Sequence, residues 1–143
     1  LIWALNRFEQ GLSGDRLTHR PAAVRSLAAM RARIRRRRGA ILVAGPPGRI
    51  DGLIAWCEET DAPFVVPPLR RYAQVTDLVV ADRARRRGIA TALLEAVAEA
   101  ARARGLRRLA IGVLDGNEAA DRLYRAFGFR PYLALLVKPL NEA

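Results

Sequence analysis

The stretch Leu78-Val79-Val80-Ala81-Asp82-Arg83-Ala84-Arg85-Arg86-Arg87-Gly88-Ile89-Ala90-Thr91 decides how this chain is read. Before it, Tyr72 to Val80 (YAQVTDLVV) reads as a strand with polar residues interleaved through its first half. After it, Ile89, Leu93, Val97 and Ala101 recur every four residues, one face of an amphipathic helix, and Gly105 stands where that helix would stop. The stretch is therefore a strand-to-helix corner. The first turn of a helix offers N–H groups without intrahelical partners, and the macrodipole adds partial positive charge there. A glycine lets a phosphate reach the backbone without meeting a Cβ, and the arginines add mobile counter-charge. These features point to a pyrophosphate cradle over 85–91. The spacing is neither that of a P-loop nor that of a dinucleotide fingerprint. A solvated arginine turn capping a surface helix would use the same residues, and this stretch alone does not separate the two.

Working outward, residues 1 to about 17 put Leu1, Leu5 and Phe8 on one helical face and then reach a turn at Gly11 and Gly14. A second helix is expected after Pro21, with Val24, Leu27, Ala28 and Ile34 as its inner stripe, running through Arg31–Arg38 to Gly39. AILVA (40–44) and IDGLIAWCEE (50–59) read as strands joined by the turn GPPG (45–48), and the proline-rich 61–71 reads as a loop. RRLAIGVL (107–114) is a further strand. Asn117 can cap a helix whose inner stripe is Ala120, Leu123, Tyr124 and Phe127, closed by Gly128, and FRPYLALLV (129–137) is expected to be a last strand. The order α, α, β, β, β, α, β, α, β is that of an α/β domain around one sheet.

Composition removes whole chemistries. The chain's 143 residues are one domain's worth, and with 51% hydrophobic and 27% charged residues it is globular. Cys57 and His19 are the only residues of their kinds, so no Cys/His metal site and no intrachain disulfide can form. Cys57 reads as a small buried thiol on a strand. Ser13 and Ser26 are the only serines, which disfavours a serine triad. No apolar run has the length of a membrane span, and Asn6, Arg7 and Glu9 interrupt the opening LIWAL, so a cytoplasmic location is expected. The 25 basic and 14 acidic residues leave +11 with His neutral, which favours an anionic partner.

Arg85-x-x-Gly88-x-Ala90 after the Leu78-Val79-Val80 strand end closely resembles the acetyl-CoA pyrophosphate motif of the GNAT superfamily of N-acetyltransferases. Downstream, Asn117-x-x-Ala120-x-x-Leu123-Tyr124-x-x-Phe127-Gly128-Phe129 is similar to that superfamily's other signature, and the two motifs lie on successive β–α units in the family's order. The resemblance runs from about residue 40 to 138. It implies a mixed, largely antiparallel central sheet with a splay between two strands, helices on both faces, and acetyl-CoA as co-substrate without a metal. In this chain it puts the pantetheine arm along Leu78, Val79 and Val80, through backbone groups of Leu78 and Val80. It puts the pyrophosphate on the backbone of Arg86, Arg87, Gly88, Ile89, Ala90 and Thr91, with Arg85 or Arg86 as side-chain partners. Asn117 would bond the cofactor arm, and Tyr124 would place its hydroxyl near the thioester sulfur as general acid. The superfamily's first strand is missing here, and Leu1 replaces an initiator Met, so residues 1–143 are expected to be a single N-acetyltransferase domain incomplete at its N-terminus.

The implied reaction is acetyl transfer to a primary amine by direct attack. The amine must lose a proton, the developing oxyanion needs a donor such as the N–H of Leu78, and the leaving thiolate needs a proton. Strict alternation along the strand would put Tyr72, Gln74, Thr76 and Leu78 on one face and Asp77 on the other. Gln74, an amide, stands where some relatives carry a glutamate. Glu58, Glu59 and Asp77 remain as bases, none singled out. The acceptor is open among a small-molecule amine, an aminoglycoside, an amino acid, and a protein N-terminus or lysine. A homodimer accords with the resemblance, although no residue specifies it. Two rival readings stand beside this one: a nucleic-acid-binding module using Arg31–Arg38, disfavoured because no aromatic platform accompanies the run, and a GNAT-like domain that binds acyl-CoA without turnover.

Overall fold

A computed structural model describes residues 1–141. Four strands form one sheet in the order β1 (Ala40–Ala44), β2 (Gly52–Thr60), β3 (Arg71–Val80), β4 (Leu109–Ile111). The first three run antiparallel to their neighbours and β4 runs parallel to β3. The helices are α1 (Ile2–Ser13), α2 (Arg20–Arg36), α3 (Pro67–Arg70), α4 (Ile89–Ala103) and α5 (Glu118–Phe127), with a 3-10 turn at Asp82–Ala84. No strand precedes α1 among the described residues. None of the described helices is long and apolar enough to cross a membrane.

Each face of the sheet has its own core. On one, Leu93, Leu94, Val97 and Ala101 of α4 pack against Ile54, Trp56, Ala73 and Val75. On the other, Met30 and Ile34 of α2 pack against Leu53, Ala55, Cys57 and Val79, with Leu1, Ile2 and Leu5 of α1 beside them. Ile54, Leu94 and Val97 have no exposed surface, and burying each such side chain contributes about 1.5–3 kcal/mol. Cys57 is a buried thiol on β2, its pKa raised mainly by that burial.

Several expected elements change on folding. The inner stripe of α2 is Ala23, Leu27, Met30 and Ile34, not the one through Val24 and Ala28, which face solvent. His19 caps the start of the helix, its ring Nδ1 accepting from the Ala22 N–H. Gly11 lies inside α1, and the helix stops at Gly14. The proline-rich loop contains one helical turn, with Pro67 at its start, where the N–H that proline lacks would have had no helical partner. Residues 107–114 supply a strand of only three residues. The expected strand over 129–137 does not form: that segment joins no sheet, and its residues beyond Phe129 are exposed.

Two details place the corner after β3. A Cβ on Gly52 would come within 2.7 Å of Ile89 Cγ2, so the glycine allows the first turn of α4 to close on β2. The buried carboxylate of Asp51 accepts from Arg49 and Arg83, and its backbone carbonyl accepts from the Ala81 N–H at 2.7 Å. Together these tie the start of β2 to the end of β3.

Candidate active site

The pairing of β2 with β3 slips between Ala55 and Trp56: Ala55 faces Asp77 and Trp56 faces Val75, so Thr76 is an extra residue, a β-bulge. Its effect shows in two hydrogen bonds. The Ala73 N–H points to β4 and bonds the Arg108 carbonyl at 2.9 Å, whereas the Ala81 N–H points to β2 and bonds Asp51. Unbroken alternation would turn both residues the same way; the bulge reverses the sense between them. Counting back from Ala81, the backbone groups of Leu78 and Val80 turn away from β2.

Among the described residues, no strand receives them on that side. β4 pairs with β3 only over Ala73–Val75 against Leu109–Ile111 and ends at Ile111, while β3 runs on to Val80. Beyond Val75 that edge of β3 pairs with no strand among the described residues, and the backbone of Leu78 and Val80 faces this open edge. Val79 differs from its neighbours: its backbone faces Leu53 on β2 and its side chain is buried in the α2-side core.

The corner after β3 has the form of an anion cradle. Arg86 (φ 61°) and Gly88 (φ 75°) both take left-handed conformations with Arg87 between them, the alternation that turns successive N–H groups into a concavity. Arg86 is one of two described non-glycine residues with a positive φ, the other being Arg38 at 54°, a conformation uncommon outside glycine. Ala92, bonding the Gly88 carbonyl at 3.0 Å, is the first residue of α4 whose N–H finds a helical acceptor. Among the described residues, the N–H groups of Arg86, Arg87, Gly88, Ile89, Ala90 and Thr91 have none. A Cβ on Gly88 would meet no atom within 4 Å, so the space before it is open. The side chains of Arg85, Arg86 and Arg87 are exposed, and Arg85 forms only an exposed ion pair with Asp82 at 3.1 Å.

α5 closes the other end. Asn117 caps it, its side-chain oxygen accepting from the Ala120 N–H at 3.2 Å, which leaves the amide NH2 as a donor. Tyr124 stands edge-on to Phe129, with ring centroids 5.8 Å apart, and its hydroxyl makes no hydrogen bond among the described residues. Burial, with a smaller contribution from the Glu9 carboxylate, pushes its pKa up to about 12.

The bulge also corrects the alternation expected for β3. Gln74 pairs with Cys57 and Asp77 with Ala55, both members of the α2-side core, so Gln74 and Asp77 share that face. Of the three carboxylates considered as bases, Glu58 is bonded by Arg71 and Arg104, and Glu59 by Arg33 and Arg37. Arg71 first for Glu58 and Arg33 first for Glu59 hold these groups below the usual glutamate range. Asp77 alone is raised, chiefly by burial and further by Glu9. Sequence reading missed Glu9. It lies on α1, paired with Arg16 at 2.9 Å, close enough to raise both Asp77 and Tyr124. Only tertiary packing reveals that neighbourhood. A hollow of about 490 Å³ lined by Leu1, Ile2, Leu27, Leu53 and Arg83 opens elsewhere, and no carboxylate lines it.

Comparison with known proteins agrees with this fold. The model of the acetyltransferase (GNAT) family matches residues 9–129. The GCN5-related N-acetyltransferase 6, chloroplastic, of Arabidopsis thaliana is 38% identical over 60 residues, which is 42% of this chain and 21% of that protein. The matched region thus spans about a fifth of the curated relative. A candidate acetyl transferase from Pyrococcus furiosus superposes with a TM-score of 0.77 at 22% identity, covering 97% of this chain and 91% of that one. An aminoglycoside N-acetyltransferase solved in complex with CoA gives 0.65 at 19% identity, covering 82% and 90%.

Proposed function

Because this chain belongs to the GNAT acetyltransferase family, we propose that it transfers an acetyl group from acetyl-CoA to a primary amine. The observation that carries the reading is the continuity of unpartnered backbone donors: Leu78 and Val80 in the gap, then Arg86 to Thr91 at the corner. A pyrophosphate suits the corner amides and the exposed arginines around them. An extended pantetheine arm suits a strand edge left open by its neighbour. Asn117 adds an amide donor from α5. When bound, acetyl-CoA supplies an activated acyl group on a sulfur leaving group.

The chain's own residues divide the remaining work. The Leu78 N–H, turned into the gap, is the donor for charge developing on the carbonyl oxygen. Tyr124 keeps its phenol neutral up to about pH 12 and donates to the sulfur as the general acid. Asp77 is the carboxylate best suited to remove the amine's proton: burial raises it toward the range of a useful base, whereas Glu58 and Glu59 are held by arginines.

Release of CoA thiol from acetyl-CoA across a panel of amines, aminoglycosides included, tests the reading. Turnover with at least one amine is expected. CoA binding without turnover would move the chain to the non-catalytic alternative. A Cβ on Gly88 enters open space but sits on a left-handed φ of 75°, so Gly88→Trp carries about 1–2 kcal/mol of backbone strain and, with its fold checked by circular dichroism, should lose CoA binding because the indole fills the cradle. Unchanged binding by that variant would contradict the cradle.

A further inference from the structure

The end of the sheet opposite the cradle gathers most of the chain's charge. α2 and α4 finish there, β1, β3 and β4 begin there, and β2 runs out into the loop 61–70. Residues 31–40, 57–72 and 102–109 carry twelve arginines and three carboxylates, an excess of nine positive charges in a chain whose net charge is +11. All three carboxylates are already taken: Glu58 by Arg71 and Arg104, Glu59 by Arg33 and Arg37, Asp61 by Arg108. Arg31, Arg35, Arg36, Arg38, Arg102 and Arg107 are exposed and make no ion pair among the described residues. Arg31 and Arg35 stand one turn apart on α2, where like charges repel. Helix dipoles favour cations in the last turns of α2 and α4, but Arg38, Arg71 and Arg107 lie outside both helices.

The run Arg31–Arg38 has no aromatic residue beside it in the chain; the fold brings two. Phe64 is 89% exposed and Tyr132 is 81% exposed. Arg70 holds the loop that presents Phe64, its Nη2 donating to the carbonyls of Pro63 and Val65 at 2.9 Å each. The Arg108 guanidinium, bonded to Asp61 in the same loop, lies 5.6 Å from the ring of Tyr132 and 5.3 Å from that of Tyr72. Tyr72 in turn pairs with Glu59, which accepts from Arg33 and Arg37. A chain of contacts thus joins both exposed rings to the arginine run.

We propose that this end binds single-stranded nucleic acid, with phosphates on the unpaired arginines and bases stacked on Phe64 and Tyr132. A positive surface set with exposed aromatic rings suits a single strand, whose bases are free to stack. A duplex keeps its bases within its own stack, polyglutamate offers charge without rings, and a bilayer calls for a continuous apolar face. The cradle stands at the far ends of β3 and α4, so this inference holds whether or not the chain transfers acetyl groups.

Fluorescence anisotropy over a salt series tests it, with a labelled single-stranded DNA of about 16 nucleotides as probe. Saturable binding is expected at about 0.15 M salt, tighter than to a duplex of the same sequence and undisturbed by excess CoA. Phe64→Ala should weaken it by roughly fivefold to 150-fold and leave the salt dependence unchanged. Arg31→Ala combined with Arg35→Ala should lower the slope of log K against log salt by about 1.4. All three side chains are exposed, so neither variant disturbs the core. No binding at that salt, equal affinity for the duplex, displacement by CoA or by polyglutamate, or full affinity in Phe64→Ala overturns the proposal.

Discussion

Replacing Tyr124 by phenylalanine removes one oxygen atom whose hydroxyl bonds no described residue, while the ring keeps its packing against Phe129. Stability should therefore stay within about 0.5 kcal/mol of the parent. CoA affinity should be unchanged, because the cradle and the gap lie on β3 and α4. The rate is where the loss appears. With the phenol at about 12 and a leaving thiol near ~8.5, outright proton transfer is uphill by about 5 kcal/mol. The contribution of Tyr124 is then that of a hydrogen bond to a developing anion, about 1.5–3 kcal/mol, and kcat should fall by roughly tenfold to 150-fold. The assay is steady-state release of CoA thiol at saturating acetyl-CoA, with CoA affinity measured by calorimetry. The pH profile adds a check: since the phenol stays neutral until the pH approaches 12, the parent should show no loss of rate from tyrosine ionisation near pH 10. An unchanged kcat in Tyr124→Phe, or a fall matched by weaker CoA binding, would refute the reasoning.

Other consequences are equally direct. Asp77 has its folded pKa raised above the unfolded value, so its favourable contribution is present at low pH and is lost as pH rises through the folded pKa. Asp77→Asn should accordingly be more stable than the parent at pH 7 in urea titrations, converging with it near pH 3, while turnover falls by about 10²–10⁴; a destabilised variant at pH 7 would contradict the burial argument. Glu58 and Glu59 have lowered pKa values, so their stabilisation is present above the ordinary glutamate range and disappears on acidification. Thermal melts from pH 5 to 2 should fall less steeply in the Glu58→Gln and Glu59→Gln double variant. Ile54→Ala should cost about 2–5 kcal/mol in urea unfolding, since the site is closed on all sides between β2 and α4.

What sequence reading reached was local chemistry. The corner at 85–91 was legible because a glycine, the end of a strand and the onset of a four-residue periodicity are neighbours in the chain. Asn117 was legible as a cap for the same reason. The bulge at Thr76 was not: a bulge belongs to the pairing of two strands, and no residue of YAQVTDLVV marks it. Consequently Asp77 was placed on the wrong face relative to Gln74. Glu9 escaped notice because its nearness to Tyr124 depends on tertiary packing between residues 115 apart in the chain. The stripe on α2 lies one position from the expected one, through Ala23 and not Val24, and packing of Met30 and Ile34 on the sheet decides between them. The segment 129–137 has the composition of a strand, but a strand exists only where an edge receives it.

The central claim is that the amides of Arg86 to Thr91 hold a diphosphate while the backbone of Leu78 and Val80 receives the arm that follows it. Backbone amide NMR during a CoA titration tests this most directly. The account predicts saturable shifts at Arg86–Thr91, Leu78 and Val80, with the β1 amides of Ala40–Ala44 unmoved. Saturable CoA binding that leaves the corner and the gap silent would contradict it.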